Sequence, residues 1–194
     1  MSTEATSEPV VLDDPRPRRW SLVEYYKLGD AGYFRDQHVE LIDGEILQMC
    51  PMGSQHATAC VIVMYMLFPL VGSGNHLRIQ LPMRIRGDEP EPDVAIVSGS
   101  PQTYTTGHPT TALLIVEISD TSLRFDLTKK RDLYASAGVV EYWVLDVDAN
   151  RLTVFRDVDL IAATYRTTRT YAPSESLSPL FAPPASILVA DLLP

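Results

Sequence analysis

The chain has 194 residues, 45% of them hydrophobic and 21% charged, with a formal net charge of −9. That is a single ordinary domain's worth of globular sequence, able to bury roughly two thirds of its unfolded surface, so whole-chain disorder is excluded. The acidic balance argues against a protein that coats nucleic acid nonspecifically, which needs many Lys and Arg contacts to phosphate, yet it leaves room for an enzyme with a small basic patch and a metal. Cys50 and Cys60 lack C-x-x-C spacing, so thiols alone build neither a disulfide scaffold nor a four-thiolate zinc site, and a reducing cytoplasm is the expected location. Residues 1–19 carry Pro9, Pro15, Pro17 and three arginines without an apolar run, which reads as a flexible N-terminal segment and not as a signal peptide. The most apolar stretch, residues 57–71, is interrupted by Pro69 and is too short to span a bilayer, so no membrane is expected among the partners.

Ser21 and Glu24 form an S-x-x-E capping box ahead of Leu22, Val23, Tyr25, Tyr26 and Leu28, which predicts a helix closed by Gly29 and Gly32. Residues 38–42 and 45–49 flank Asp43-Gly44, the pattern of a two-residue β-hairpin. Residues 54–70 favour a buried helix by length and by Ala and Met content. Three strands are then expected, at 77–85, 93–97 and 112–118, the last two central to a sheet. Residues 123–137 predict a helix closed by Gly138, 140–147 a further strand, and Asp148-Ala-Asn150 the turn of a second hairpin into 151–155. Five prolines from Ala172 onward predict an extended C-terminal segment, 172–194, with one short strand at 187–189. The order implies an α/β domain over residues 20–171, a mixed sheet flanked by helices.

Glu117 is the most informative residue, because it interrupts the apolar run Leu113-Leu-Ile-Val-Glu117-Ile118. A carboxylate buried there must be paired, protonated or bound to a metal; the alternative is a strand-end glutamate turned to solvent or held by an arginine. Asp93, after Pro92, is either a solvated residue of the acidic loop or, if its strand lies beside that of Glu117, a second ligand for one divalent cation such as Mg²⁺. Glu40 offers a third carboxylate, although hairpin glutamates are usually surface partners. Asp126, Lys130 and Tyr134 form one helical stripe. It is either an exposed ion-pair face or, turned toward the carboxylates, a place from which Lys130 orients water and offsets phosphate charge. Lys129 is the adjacent alternative, about 100° around the helix. P-loop, dinucleotide-binding, zincin and serine-hydrolase signatures are absent.

Taken in order, Glu40-Leu-Ile-Asp-Gly44-Glu45, His56, Pro92-Asp93-Val94, Val116-Glu117-Ile118-Ser119, Asp126-x3-Lys130-x3-Tyr134, Gly138-Val139 and Glu141-Tyr-Trp-Val-Leu-Asp146 resemble the Uma-type putative restriction endonuclease family of the PD-(D/E)XK nuclease superfamily. The resemblance runs from about Trp20 to Phe155. It implies a restriction-endonuclease-like α/β core and a metal-dependent endonuclease hydrolysing DNA phosphodiester bonds with Mg²⁺ or Mn²⁺. Asp93 and Glu117 would be metal ligands, joined by the backbone carbonyl of Ile118. The superfamily's lysine normally lies two residues after the second acid, where this chain has Ser119; the resemblance carries its role to Lys130 on the following helix and matches Glu40 to the extra N-terminal acid. It also makes His56 a candidate near the site, although a histidine there is more often a helix-terminal hydrogen bonder than a base. Asp126 and Tyr134 are accessory candidates. Trp143 and Tyr142 are expected in core or dimer packing, and Asp146 in turn formation. Cutting two strands is simplest with two active sites, so a homodimer is an assembly this reading admits. The rival is a catalytically silent dimeric DNA- or protein-binding module of the same fold; a weaker one is hydrolysis of another phosphate ester.

Overall fold

The computed structural model describes residues 15–194; most of the N-terminal segment expected over residues 1–19 lies outside them. Helix α1 (Leu22–Asp30) starts at the anticipated capping box, with the Ser21 backbone N–H donating to Glu24 at 3.0 Å and the Glu24 N–H donating back to the Ser21 hydroxyl at 3.4 Å. Strands β1 (Val39–Ile42) and β2 (Glu45–Gln48) pair antiparallel through Asp43 and Gly44, both at positive φ (52° and 67°), as the tight hairpin turn requires. Glycine is needed at position 44 for a second reason: a Cβ there would lie 2.8 Å from the Arg19 Cβ. Helix α2 (Ser54–Leu67) follows, burying Ala59, Cys60, Val63 and Leu67.

Six strands make the main sheet: β3 (Asn75–Ile79), β4 (Val94–Ser98), β5 (Leu114–Ser119), β6 (Glu141–Asp146), β7 (Arg151–Asp159) and β8 (Thr164–Tyr171). They lie in sequence order, all neighbours antiparallel except the parallel pair β5–β6. The parallel pair needs a crossover, and the chain between β5 and β6 supplies it as a helix. The architecture is therefore the expected mixed α/β sheet flanked by helices. One face packs Val94, Ile96, Val116, Ile118 and Trp143 against α2 and the C-terminal residues Val189 and Leu192; the other packs Ala95, Ile115, Tyr142 and Val144 against the crossover helix. Trp143 and Tyr142 are fully buried on opposite faces, in core positions. None of the described helices is long and apolar enough to cross a membrane.

Four expectations about elements need correction. The strand anticipated over 77–85 ends at Ile79: Gln80 takes a positive φ of 47°, and Pro82 has no N–H to donate to a ladder. The helix over 123–137 is not uniform. It opens as α3 (Leu123–Phe125), widens into a π-turn over Asp126–Lys130 and resumes as α4 (Arg131–Ser136), closing at Gly138 (φ 70°) with the Val139 N–H on the Tyr134 carbonyl and the Gly138 N–H on the Ala135 carbonyl. Strand β7 runs four residues past the expected Phe155, and β8, absent from the sequence reading, pairs along it. Residues 172–194 hold two short strands, β9 (Ser176–Leu177) and β10 (Ile187–Leu188), which pair with each other.

Candidate active site

The register that pairs Val94 with Val116, continued by one residue, sets Asp93 opposite Glu117 at the ends of adjacent antiparallel strands. Their side chains and backbones interlock: the Ile118 N–H donates to Asp93 Oδ2 at 2.8 Å, and the Asp93 N–H to Glu117 Oε2 at 3.4 Å. Glu117 alternates with the core residues Val116 and Ile118, so it faces the crossover helix. There Lys130 Nζ donates to Glu117 Oε1 at 3.0 Å, and the Tyr134 hydroxyl to the same oxygen at 2.5 Å. From the other side β1 delivers Glu40, whose Oε1 accepts from Lys130 at 3.3 Å. All of these side chains are buried. Lys129 is on the surface beside Asp43, at 3.6 Å, so geometry separates the two adjacent lysines: only Lys130 reaches the carboxylates.

His56, in the first turn of α2, places Nε2 at 2.9 Å from Asp93 Oδ1, which also accepts from Gln80 Nε2 at 3.3 Å. Asp126 is buried but does not pair with Lys130. Its Oδ2 accepts from the hydroxyls of Ser119 (2.7 Å) and Ser122 (2.5 Å), so Ser119 serves to hold the start of the π-turn. Asp146 accepts from the Ala149 N–H at 2.9 Å within the β6–β7 turn, away from these groups. Sequence reasoning passed over Cys60, Gln80 and Asp120. Cys60 sits one helical turn from His56 and offers Sγ within 4.8 Å of His56 and Asp93 donor atoms; the i, i+4 spacing was the available signal. Asp120 and Gln80 line the cleft without any pattern that marks them.

The electrostatics are lopsided. A cleft of about 690 Å³ is lined by the acids Asp36, Glu40, Glu91, Asp93, Glu117, Asp120 and Asp126, and among the described residues Lys130 is the one Lys or Arg in its wall. Burial, reinforced by Asp93, Asp126 and Glu40, pushes the Glu117 carboxyl well above the usual range despite Lys130. Burial likewise raises Glu40, against the pull of Lys130. For Asp93, burial is outweighed by the hydrogen bond and charge of His56, and its carboxyl is held low; His56 is raised in return, Asp93 overcoming the effect of its burial. Lys130 stays charged because Glu117 and Glu40 more than offset its burial. Among the described residues, Glu40 Oε2 is buried without a hydrogen-bond partner. A buried carboxylate oxygen with no donor, in a wall where acids outnumber cations, is what a divalent cation relieves, and the oxygen-rich donor set fits a hard ion.

The sequence profile of the Uma2 family, described as "Putative restriction endonuclease", matches residues 22–190. The chain belongs to that family. Among solved structures, this Uma2-family chain is similar to "a putative nuclease belonging to DUF820" from Anabaena variabilis ATCC 29413, at 17% identity and a TM-score of 0.69 over 89% of this chain and 96% of that one. At that identity the likeness is one of fold. No curated protein matches the sequence. Family membership makes this a nuclease-type chain, whose substrate class is nucleic acid.

Away from the cleft, the basic run Lys129-Lys130-Arg131 does not form a surface strip, since Lys130 points inward and Arg131 bonds Asp132. Arg18 and Arg19 are paired with Glu24 and with Asp43 and Glu45.

Proposed function

We propose that the chain is a divalent-metal-dependent endonuclease that hydrolyses DNA phosphodiester bonds at the Asp93–Glu117 cleft. The observation that carries this reading is the convergence of Glu117 and Glu40 on a single buried lysine, with Asp93 interlocked with Glu117 beside them. A phosphate entering a wall so rich in carboxylates is repelled unless a cation accompanies it, and Lys130 is already shared by two acids. Asp93 and Glu117, with the Ile118 backbone carbonyl beside them, are the residues that would hold Mg²⁺ or Mn²⁺. When bound, such an ion neutralises phosphate charge and acidifies water at the reacting centre.

The protein's own groups divide the remaining work. Lys130 orients the attacking water and offsets charge that grows on the phosphate oxygens. Glu40 fixes the Lys130 ammonium from the side opposite Glu117, and Tyr134 fixes Glu117 through its second donor to Oε1. His56 and the Ile118 N–H hold the two oxygens of Asp93 in place, one each. Asp126 anchors the π-turn through Ser119 and Ser122, which sets the level at which Lys130 enters the site.

The test is incubation of supercoiled plasmid and of single-stranded DNA with Mg²⁺ or Mn²⁺, beside Glu117→Ala. Metal-dependent nicking that the variant lacks supports the reading. A wild-type protein that neither cleaves nor gains thermal stability from either metal overturns it in favour of a binding module of the same fold.

A further inference from the structure

Beside the cleft, reaching from its wall into the core under α2, lies a second donor set of different chemistry that shares one residue with the first. On α2, His56 and Cys60 stand four positions apart and so project from one face of the helix, one turn apart. Both approach Asp93: Nε2 of His56, Sγ of Cys60 and a carboxylate oxygen of Asp93 all lie within 4.8 Å of one another. His56 Nε2 and Asp93 Oδ1 already stand 2.9 Å apart. A tetrahedral zinc ion, with bonds of about 2.0–2.3 Å, sets its donors roughly 3.5 Å from one another, so the His56–Asp93 pair opens slightly to admit the ion and Cys60, already within 4.8 Å, completes the set. Imidazole nitrogen and thiolate sulfur are poor ligands for Mg²⁺ and good ones for a borderline-soft ion. Three protein ligands also leave a fourth position open toward the cleft.

We propose that His56, Cys60 and Asp93 form a zinc-binding site, and that Zn²⁺ bound there inhibits the nuclease by taking Asp93 from the oxygen-ligand site. The inhibitory half rests on the proposed nuclease reading; the binding half does not. Zn²⁺ and Mg²⁺ then compete, with soft donors deciding for zinc and the Glu117 side deciding for magnesium. Binding displaces the thiol proton of Cys60, which is otherwise retained in this buried position.

Cobalt(II) is the probe, because thiolate coordination to it gives a near-ultraviolet charge-transfer absorption that oxygen and nitrogen ligands do not. Titration of the wild-type protein with Co²⁺ is expected to produce that absorption, and Zn²⁺, but not an equal concentration of Mg²⁺, is expected to abolish it. Cys60→Ala and Cys60→Ser should lose the absorption; Cys50→Ser, at the exposed cysteine, should keep it. Circular dichroism of each variant checks that the fold survives, and having two replacements at position 60 guards against one that does not fold. No absorption in the wild type, or absorption that persists in a folded position-60 variant, overturns the site. Plasmid nicking in Mg²⁺ should fall as Zn²⁺ is added and recover on chelation. A protein that shows the cobalt signature yet never cleaves supports the zinc site and counts against the nuclease reading.

Discussion

The Tyr134 hydroxyl donates to Glu117 Oε1 at 2.5 Å, the same oxygen that Lys130 approaches at 3.0 Å. One carboxylate oxygen is thus saturated by the crossover helix, and Oε2 is left with only the long contact from the Asp93 N–H, at 3.4 Å. Tyr134→Phe removes a hydrogen bond to a carboxyl group inside the core, at a cost of about 1–3 kcal/mol. The expected outcome is a lower urea midpoint with an unchanged m-value, together with slower metal-dependent cleavage. Activity equal to wild type would show that Tyr134 does not position Glu117.

Removing Lys130 has a larger effect than removing its neighbour. Lys130→Met leaves Glu40 and Glu117 buried without their shared cation, and breaking a buried pair from one side costs about 3–5 kcal/mol. Lys129→Ala, on the surface beside Asp43, should change stability by less than about 0.5 kcal/mol. Denaturant melts of the two variants make the comparison, and equal losses would contradict the placement of Lys130.

Divalent metal should stabilise the folded chain. A ligand that binds only the native state adds about 2.7 kcal/mol at one hundred times its Kd, so the melting temperature is expected to climb with Mn²⁺ or Mg²⁺ and to stay flat in Asp93→Ala. A melting temperature that rises equally in both proteins would place the ion elsewhere.

The alkaline limb of stability has an identifiable contributor. Tyr25 donates to the Val39 carbonyl at 2.9 Å, tying α1 to β1. Burial first, then the charges of Glu91 and Glu89, push its phenol from 10.0 up to about 12. Because the folded value is the higher one, the neutral phenol contributes stability in full below pH 10.0 that is lost as pH rises through about 12. Tyr25→Phe should be less stable than wild type near neutrality, with the gap narrowing across that window. Melting temperatures at a series of alkaline pH values measure it, and a constant gap would refute the assignment.

Patterns that depend on local chemistry could be read from the residues alone. Ser21 with Glu24 announced α1, Asp43-Gly44 announced the hairpin, and the apolar run around Glu117 identified a strand buried on both faces. What failed to appear depended on tertiary partners. Strand β8 spells Thr-Tyr-Arg-Thr-Thr-Arg-Thr-Tyr, a polar pattern with little apolar alternation, and it becomes a strand because β7 offers a long ladder beside it. The π-turn at Asp126–Lys130 has no compositional mark; Asp126 held by Ser119 and Ser122 is visible only once β5 and the helix meet. At the site, the family resemblance ordered the acids and chose Lys130, whereas Cys60 was read only with Cys50, for their lack of C-x-x-C spacing, since its closeness to Asp93 arises from α2 packing across the sheet.

Glu40 stands apart from the other acids in one respect: it rides on the small β1–β2 hairpin, outside the six-stranded sheet. The hairpin joins the body through contacts such as the Leu41–Glu89 bridge and the Tyr25–Val39 hydrogen bond. A two-stranded ribbon has little stability of its own and opens at lower free energy than the sheet it docks on. Loss of the hairpin would strip one of the two acids from Lys130 while β4, β5 and the crossover helix stay folded. If cleavage takes place at the proposed site, mild denaturant is expected to silence it before the sheet unfolds, and activity lost only together with the sheet would show that the hairpin is held as firmly as the domain.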